Sequence, residues 1–435
     1  MERLPIPLSR SILGCSDGFP RPNRDFLVES SIEDRDVQDI LPFNSTTDGR
    51  LTDIFTEFII HPTSSFIDLN NIVLEISGEV LKEDDSQWLD DDKFDICNNA
   101  LHSLIKSVQV SLNGCVVESN PYYSISAMVK SLTSFRPSDL KSYGYLCGLR
   151  HASDGTKNYT DSYFNGLNED GKRRISDLKS HGFNYKGKLH LDISSISQYL
   201  LNGVEMKIKL EFNPDPLIIN APTLKPKIRI NGARLHVTTL KPRSNAAAAL
   251  DTRLESIPMT YNFQKLLHKT YIIPTNSTMF SCESPFMSQV PQSLYLAMVD
   301  MNAFAGSDYS KNGYYFDHFN LKELQVTVNN KVRYSSSSQF PHGASGLIYD
   351  SLSALGPPSN HLIDCETFIK GCSIISMSFL PEFIDDHFPN QSGNLRVTLS
   401  LQQPVNHNIL LFMFGLTEGL IQVDSSRKVS LAVLG

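Results

Sequence analysis

A chain of 435 residues is too long for one ordinary core, and two all-β domains of roughly 200–250 residues each are the simplest division. Its 40% hydrophobic and 20% charged residues belong to a globular protein, not a disordered one. The net charge of −8 argues against direct nucleic-acid binding, which needs a clustered basic surface.

Residues 1–45 read as an extended N-terminal arm, with prolines at 5, 7, 20, 22 and 42 and mixed charge. Arg3, Arg10, Arg21 and Arg24 are interleaved with Glu2, Asp17 and Asp25, so this is no basic arm. The opening "MERLPIPLSR" has charge and prolines where the apolar stretch of a secretory signal would sit. No apolar run approaches the roughly 20 residues needed to cross a bilayer. The seven cysteines (15, 97, 115, 147, 282, 365 and 372) are scattered and never in CxxC spacing, which signals neither a disulfide framework nor a zinc site. A reducing compartment is expected, and the sequons at Asn44, Asn158, Asn276 and Asn390 then read as chance matches.

Residues 46–242 carry the first set of strand patterns. "IVLEISGEV" alternates Ile72, Leu74 and Ile76 with polar positions. "VQVSLNGCVVES" (108–119) reads as a hairpin turning at Asn113-Gly114. Ile125, Met128, Val129 and Leu132 then fall on one face of a short helix. "VEMKIKLEF" places Val204, Met206, Ile208, Leu210 and Phe212 on one side of a strand and Glu205, Lys207, Lys209 and Glu211 on the other. Asn202-Gly203 before it suits a helix end. "KIRINGARLHVTTL" suggests a second tight hairpin at Asn231-Gly232. The linker, 243–256, contains "NAAAAL", helix-forming residues with Asn245 as a candidate N-cap.

Residues 257–435 repeat the programme. "LQVTVNNKVRYS" (324–335) echoes the first hairpin, with Asn329-Asn330 at the turn. Ile348, Leu352 and Leu355 again form a helical face after it. Pro381 suits the start of a helix before the strand Leu395, Val397, Leu399 and Leu401. Order and spacing predict two tandem copies of one domain. With about eight strands each, both read as antiparallel jelly-roll β-sandwiches, an all-β double jelly roll with short helices in its loops.

The chemistry-bearing motifs are weak. Gly14-Cys15-Ser16-Asp17-Gly18 matches G-x-S-x-G, but "FPRP" follows where a nucleophile elbow needs a helix. The acidic run "KEDDSQWLDDDKFD" (82–95) lacks the central Gly and terminal Glu of a calcium loop. Asp385-Asp386-His387 are chain neighbours, which do not face one another on a helix. No HExxH, Walker loop or GxGxxG occurs, and the single Trp88 offers no stacking platform. No catalytic, cofactor-binding or metal-binding residue is nominated.

Several blocks together resemble a known family. "FIIHPTSSFIDLNNIVLEI", "NNALHSLIKSVQVSLNG" and "NPYYSISAMVKSL" are similar to the first half of the double jelly-roll major capsid proteins of Polinton/Maverick elements and adintovirus-like viruses. Most specific is Asn98-Asn99-x-Leu101-His102-Ser103-Leu104 followed by Val108-x-Val110-x-Leu112-Asn113. In the second half, "QVPQSLYLAMVDMNAFAGSDYSKN", "GNLRVTLSL" and "GLIQVDSSRKV" resemble the family's corresponding strands. The pattern departs at Gly313-Tyr314-Tyr315, where the family usually has Pro-Phe, and the first 27 residues carry little likeness.

The resemblance implies a non-enzymatic subunit that forms homotrimers of pseudo-hexagonal outline, and a lattice of such trimers in an icosahedral shell. It further implies a single jelly-roll penton protein and minor capsid proteins as partners, and assembly inside the host cell into a virion. The residues alone leave open a two-domain carbohydrate- or receptor-binding protein, and an enzyme uniting Ser16 or Asp385 with a distant histidine.

Overall fold

The computed structural model describes residues 31–44, 55–151, 156–340, 342–379 and 391–432. The first half contributes ten strands in chain order: β1 (Ile32–Ile40), β2 (Phe55–Ile60), β3 (Phe66–Leu81), β4 (Asp95–Ile96), β5 (Ile105–Leu112), β6 (Cys115–Asn120), β7 (Phe183–Lys188), β8 (Met206–Phe212), β9 (Ile219–Asn220) and β10 (Lys227–Pro242). The helix Ser244–Leu254 follows. Then come β11 (Met259–Ile273), β12 (Met279–Glu283), β13 (Gln289–Val290), β14 (Ser293–Asp300), β15 (Leu321–Val328), β16 (Lys331–Ser337), β17 (Ile374–Ser378), β18 (Gln391–Ser392), β19 (Leu395–Leu401), β20 (Ile409–Val423) and β21 (Val429–Ala432).

Two four-stranded antiparallel sheets make each half. In the first they run β1-β10-β3-β7 and β2-β8-β5-β6; in the second, β11-β20-β14-β17 and β12-β19-β15-β16. Counting eight principal strands per half, both halves realise one connection pattern, that of the jelly roll. Strand β21 extends the second half's first sheet by pairing with β20, and β4-β9 and β13-β18 are two-stranded additions.

Alternation drives the layering. Met206, Ile208 and Leu210 of β8 are fully buried, while Lys207, Lys209 and Glu211 reach toward solvent. The echoed stretches are the hairpins β5–β6 and β15–β16, and each has a bulge on the strand after its turn, with Val117 and Arg333 as the extra residues.

Four local expectations are corrected. Residues 32–40, assigned to the extended arm, form the edge strand β1, paired with β10 from Ile32 onward. Asn231-Gly232 does not turn: β10 runs through it, and the register against β3 shifts between Ile230 and Gly232. The extra residue moves the buried side from Ile230 to Ala233, Leu235 and Val237, keeping the core face inward. Asn245 is not an N-cap but lies inside the helix, whose cap position is Arg243. Asn202-Gly203 is a turn with Gly203 at φ +74°, not a helix end; the only helical turn nearby is Asp192–Ser195. Pro381, Asp385-Asp386-His387 and the Gly14–Gly18 motif lie outside the described residues.

The halves share their cores. Leu250, Leu254, Tyr261, Phe263, Ile421 and Val423 pack with the first half's core, and Ile125, Met128, Val129, Leu132 and Leu217 with the second's. This explains why β20 is buried on both sides from Ile409 to Gly415. Met413 touches Cys282 between the sheets, while Phe412 faces Tyr122 of the first half, with ring centroids 5.5 Å apart.

Candidate assembly surfaces

Polar side chains tie the two jelly rolls together along the seam between them. The strand-to-strand segment after β7 reaches β11 with its side chains. Ser195 Oγ accepts the Gln264 N–H at 2.8 Å, and Asp192 Oδ2 accepts that of Leu266 at 3.0 Å. The Tyr261 hydroxyl accepts the Leu201 N–H at 3.1 Å and donates to the Tyr199 carbonyl at 3.2 Å. The edge of β11 is thus satisfied by another domain instead of by a further strand.

At the other side of the seam, the Tyr314 hydroxyl donates to the Ser103 carbonyl at 3.2 Å and accepts from Asn213 Nδ2 at 3.3 Å. A Cβ on Gly313 beside it would stand 2.3 Å from Leu217 Cδ1, so any side chain there must displace Leu217. The segment that departs from the family pattern is therefore part of the seam. At the C-terminal hairpin, Arg427 Nη2 donates to Asn202 Oδ1 at 2.8 Å and to Asp251 Oδ1 at 2.9 Å.

Next to β11, Glu118 of β6 is buried and its Oε2 accepts the Asp192 N–H at 2.8 Å. Burial and the neighbouring Asp192 carboxylate push Glu118 well above the usual carboxylate range, and burial raises Asp192 as well. His102 is buried with Nδ1 3.0 Å from the Tyr123 hydroxyl and its ring stacked on His190 at 4.4 Å. Burial, with Lys130 nearby, pushes His102 down to about 3.

The block most specific to the resemblance is a knot of structural bonds. Asn98 Oδ1 accepts the Arg150 N–H at 2.7 Å, and Asn99 takes φ +57° and donates Nδ2 to Ser131 Oγ at 3.1 Å. Asp95, at the end of the acidic run, is fully buried. Burial alone would raise its carboxyl, but Arg150 and Arg174 at 2.9 and 2.7 Å outweigh that and hold it below the usual range. Asp92 pairs with Lys82 at 2.5 Å, so the run is a pinned loop.

Among the described residues, no three His, Cys, Asp or Glu side chains gather as a metal site. The six described cysteines are free, and burial pushes Cys97 and Cys372 up to about 12. A small, partly open pocket by Lys157, Asp300, Lys311 and Asp317 measures about 10 Å³, room for one water at most. No described helix is long and apolar enough to cross a membrane. The second concavity is an open groove of about 280 Å³ on the outer face of the first half, bordered by Leu41, Pro42, Glu75, Asn231 and Arg234. There His236 bridges Asp39 at 2.6 Å and Glu75 at 2.8 Å; its hydrogen bond and that of Lys186 hold Glu75 down at about 2.

The fold has known counterparts. A chain of the 3.5 Å cryo-EM structure of the Sputnik virophage superposes with a TM-score of 0.64 at 13% identity, over 95% of this chain and 91% of that one. The mavirus major capsid protein gives 0.54 at 11% identity, over 100% and 95%. The Faustovirus major capsid protein gives 0.57 at 9% identity, over 93% and 92%. No protein-family profile and no curated protein matches the sequence.

Proposed function

We propose that this chain is the major capsid protein of a virus or virus-like element, a structural subunit and not an enzyme. Three copies associate into a trimer with six similar lobes, and trimers tile an icosahedral shell. A single jelly-roll protein closes the vertices, minor capsid proteins join the lattice, and the virion is the final location after assembly inside the host cell. The blocks around Asn98–Asn113 support the narrower Polinton/Maverick and adintovirus-like assignment.

One observation carries the reading. The two halves share one strand order and meet head to tail, the first half covering the β11 side of the second. A unit with two different, repeated faces extends by heterologous contact, and a threefold arrangement of such units closes a ring of six lobes. Likeness to major capsid proteins over nearly whole chains agrees with this. Sedimentation of the purified protein tests it: a species of three chains is expected, and a monomer across micromolar concentrations would refute it.

A further inference from the structure

We propose that the free edge of β1 docks a second copy of this chain, which presents the free edge of β16. The inference rests on the trimer reading and specifies the surfaces that form it.

Strand order makes the argument. β1 and β11 hold the same end position in their sheets, as do β6 and β16 in theirs. Within one chain the β11 edge is already covered. Its Gln264 and Leu266 N–H groups go to Ser195 and Asp192, and Asp192 is fixed in turn by Glu118 of β6. Strand β6 also abuts β21 of the second half. The intrachain contact therefore joins the β6 side of one jelly roll to the β11 side of the next. Among the described residues, neither counterpart, the β16 side or the β1 side, pairs with a further strand. Residues 33–37 of β1 are exposed, and so is all of β16 except Tyr334 and Ser336. Repeating the covered contact between chains brings β16 of one copy to β1 of another.

The charges of the two edges fit that pairing. β1 carries Glu33, Asp34, Asp36 and Asp39 against Arg35 alone, whereas β16 carries Lys331 and Arg333 and no acid. Asp34 and Asp36 accept the N–H groups of Arg35 and Val37 at 2.8 Å each. Among the described residues neither forms an ion pair, and neither do Lys331 and Arg333. Like charge on each edge disfavours β1–β1 and β16–β16 pairing, leaving the heterologous contact that closes a ring. Apolar area is available on both sides: Val37 is 56% exposed, Leu41 63% and Phe43 75%, and Val332 of β16 is 54% exposed. The 280 Å³ groove opens beside Leu41, at the end of β1.

The test is a charge exchange read by sedimentation, with hydrogen exchange on the unaltered protein. Asp34→Lys/Asp36→Lys and Lys331→Glu/Arg333→Glu should each weaken the trimer at least tenfold. Combining all four should restore it, and the Arg35, Val37 and Val332 amides of the unaltered trimer should exchange more slowly than those of the monomer. A trimer whose stability is untouched by either reversal, and whose edge amides exchange as fast as those of the monomer, would overturn the proposed surfaces while leaving the capsid reading standing. An unaltered protein that never trimerises would overturn both.

Discussion

Asn113 and Asn329 hold one position in two jelly rolls. Each begins a two-residue turn with positive φ at both central residues, 45° and 79° at Asn113-Gly114 and 51° and 62° at Asn329-Asn330. Each also exchanges two hydrogen bonds with the residue leading into the neighbouring strand. The Asn113 N–H and Oδ1 meet Glu205 at 2.9 and 2.8 Å, and those of Asn329 meet Asn394 at 2.9 Å both times. A turn, the bulge that follows it and its side-chain lock are thus repeated as a unit.

Alanine at Asn113 should therefore cost about 2 kcal/mol, from a left-handed backbone and the lost side-chain hydrogen bonds with the Glu205 N–H and the Arg427 carbonyl. Glycine should recover about half of that by relieving the backbone. Urea unfolding of the pair of variants checks the split; equal losses for Ala and Gly would mean that the backbone conformation contributes nothing.

Gly313→Val should disrupt the seam more than the individual jelly rolls, because the new side chain meets Leu217 of the other half. Overpacking of this kind costs about 1–3 kcal/mol. Limited proteolysis should then release cuts in 243–256 ahead of cuts within the sheets. Unchanged resistance there would show that the seam absorbs the residue.

Glu118→Gln should stabilise the protein at neutral pH. The folded-state carboxyl is raised by burial and by Asp192, so the group destabilises increasingly as pH rises above its unfolded value near 4.5. Glutamine retains an acceptor for the Asp192 N–H without the charge. A gain in stability at pH 7 that shrinks toward pH 4 is expected. Loss of stability at pH 7 would mean that Glu118 is held as a needed anion.

His102 makes the opposite demand on pH. Its folded value of about 3 lies below the unfolded 6.5, so stability is full above about pH 6.5 and falls as pH drops toward 3. His102→Gln should flatten the slope of stability against pH in that window, whatever it does to stability at pH 7. An unchanged slope would exclude His102 as the group responsible.

Much of the fold is legible in the sequence because alternation writes it directly. Met206, Ile208 and Leu210 against Lys207 and Lys209 can satisfy water and core only as a strand. β1 was hidden for the converse reason: "IEDRDVQDI" buries neither face well, so it carries no period and looks like an arm. Asn231-Gly232 has the letters of a turn, but twelve registered pairs with β3, on both sides of it, keep β10 extended. The seam was not legible at all. Its partners, such as Ser103 and Tyr314 or Asn202 and Arg427, are far apart in the chain, and no local pattern announces a hydrogen bond between them. The twofold strand pattern was the one signal pointing to it.

Electron microscopy of the purified, unaltered protein tests the central claim most directly. Averaged images should show particles of three chains with six similar lobes, and concentrated samples should show sheets or closed shells built from them. Particles with only two lobes at every concentration would contradict the capsid account.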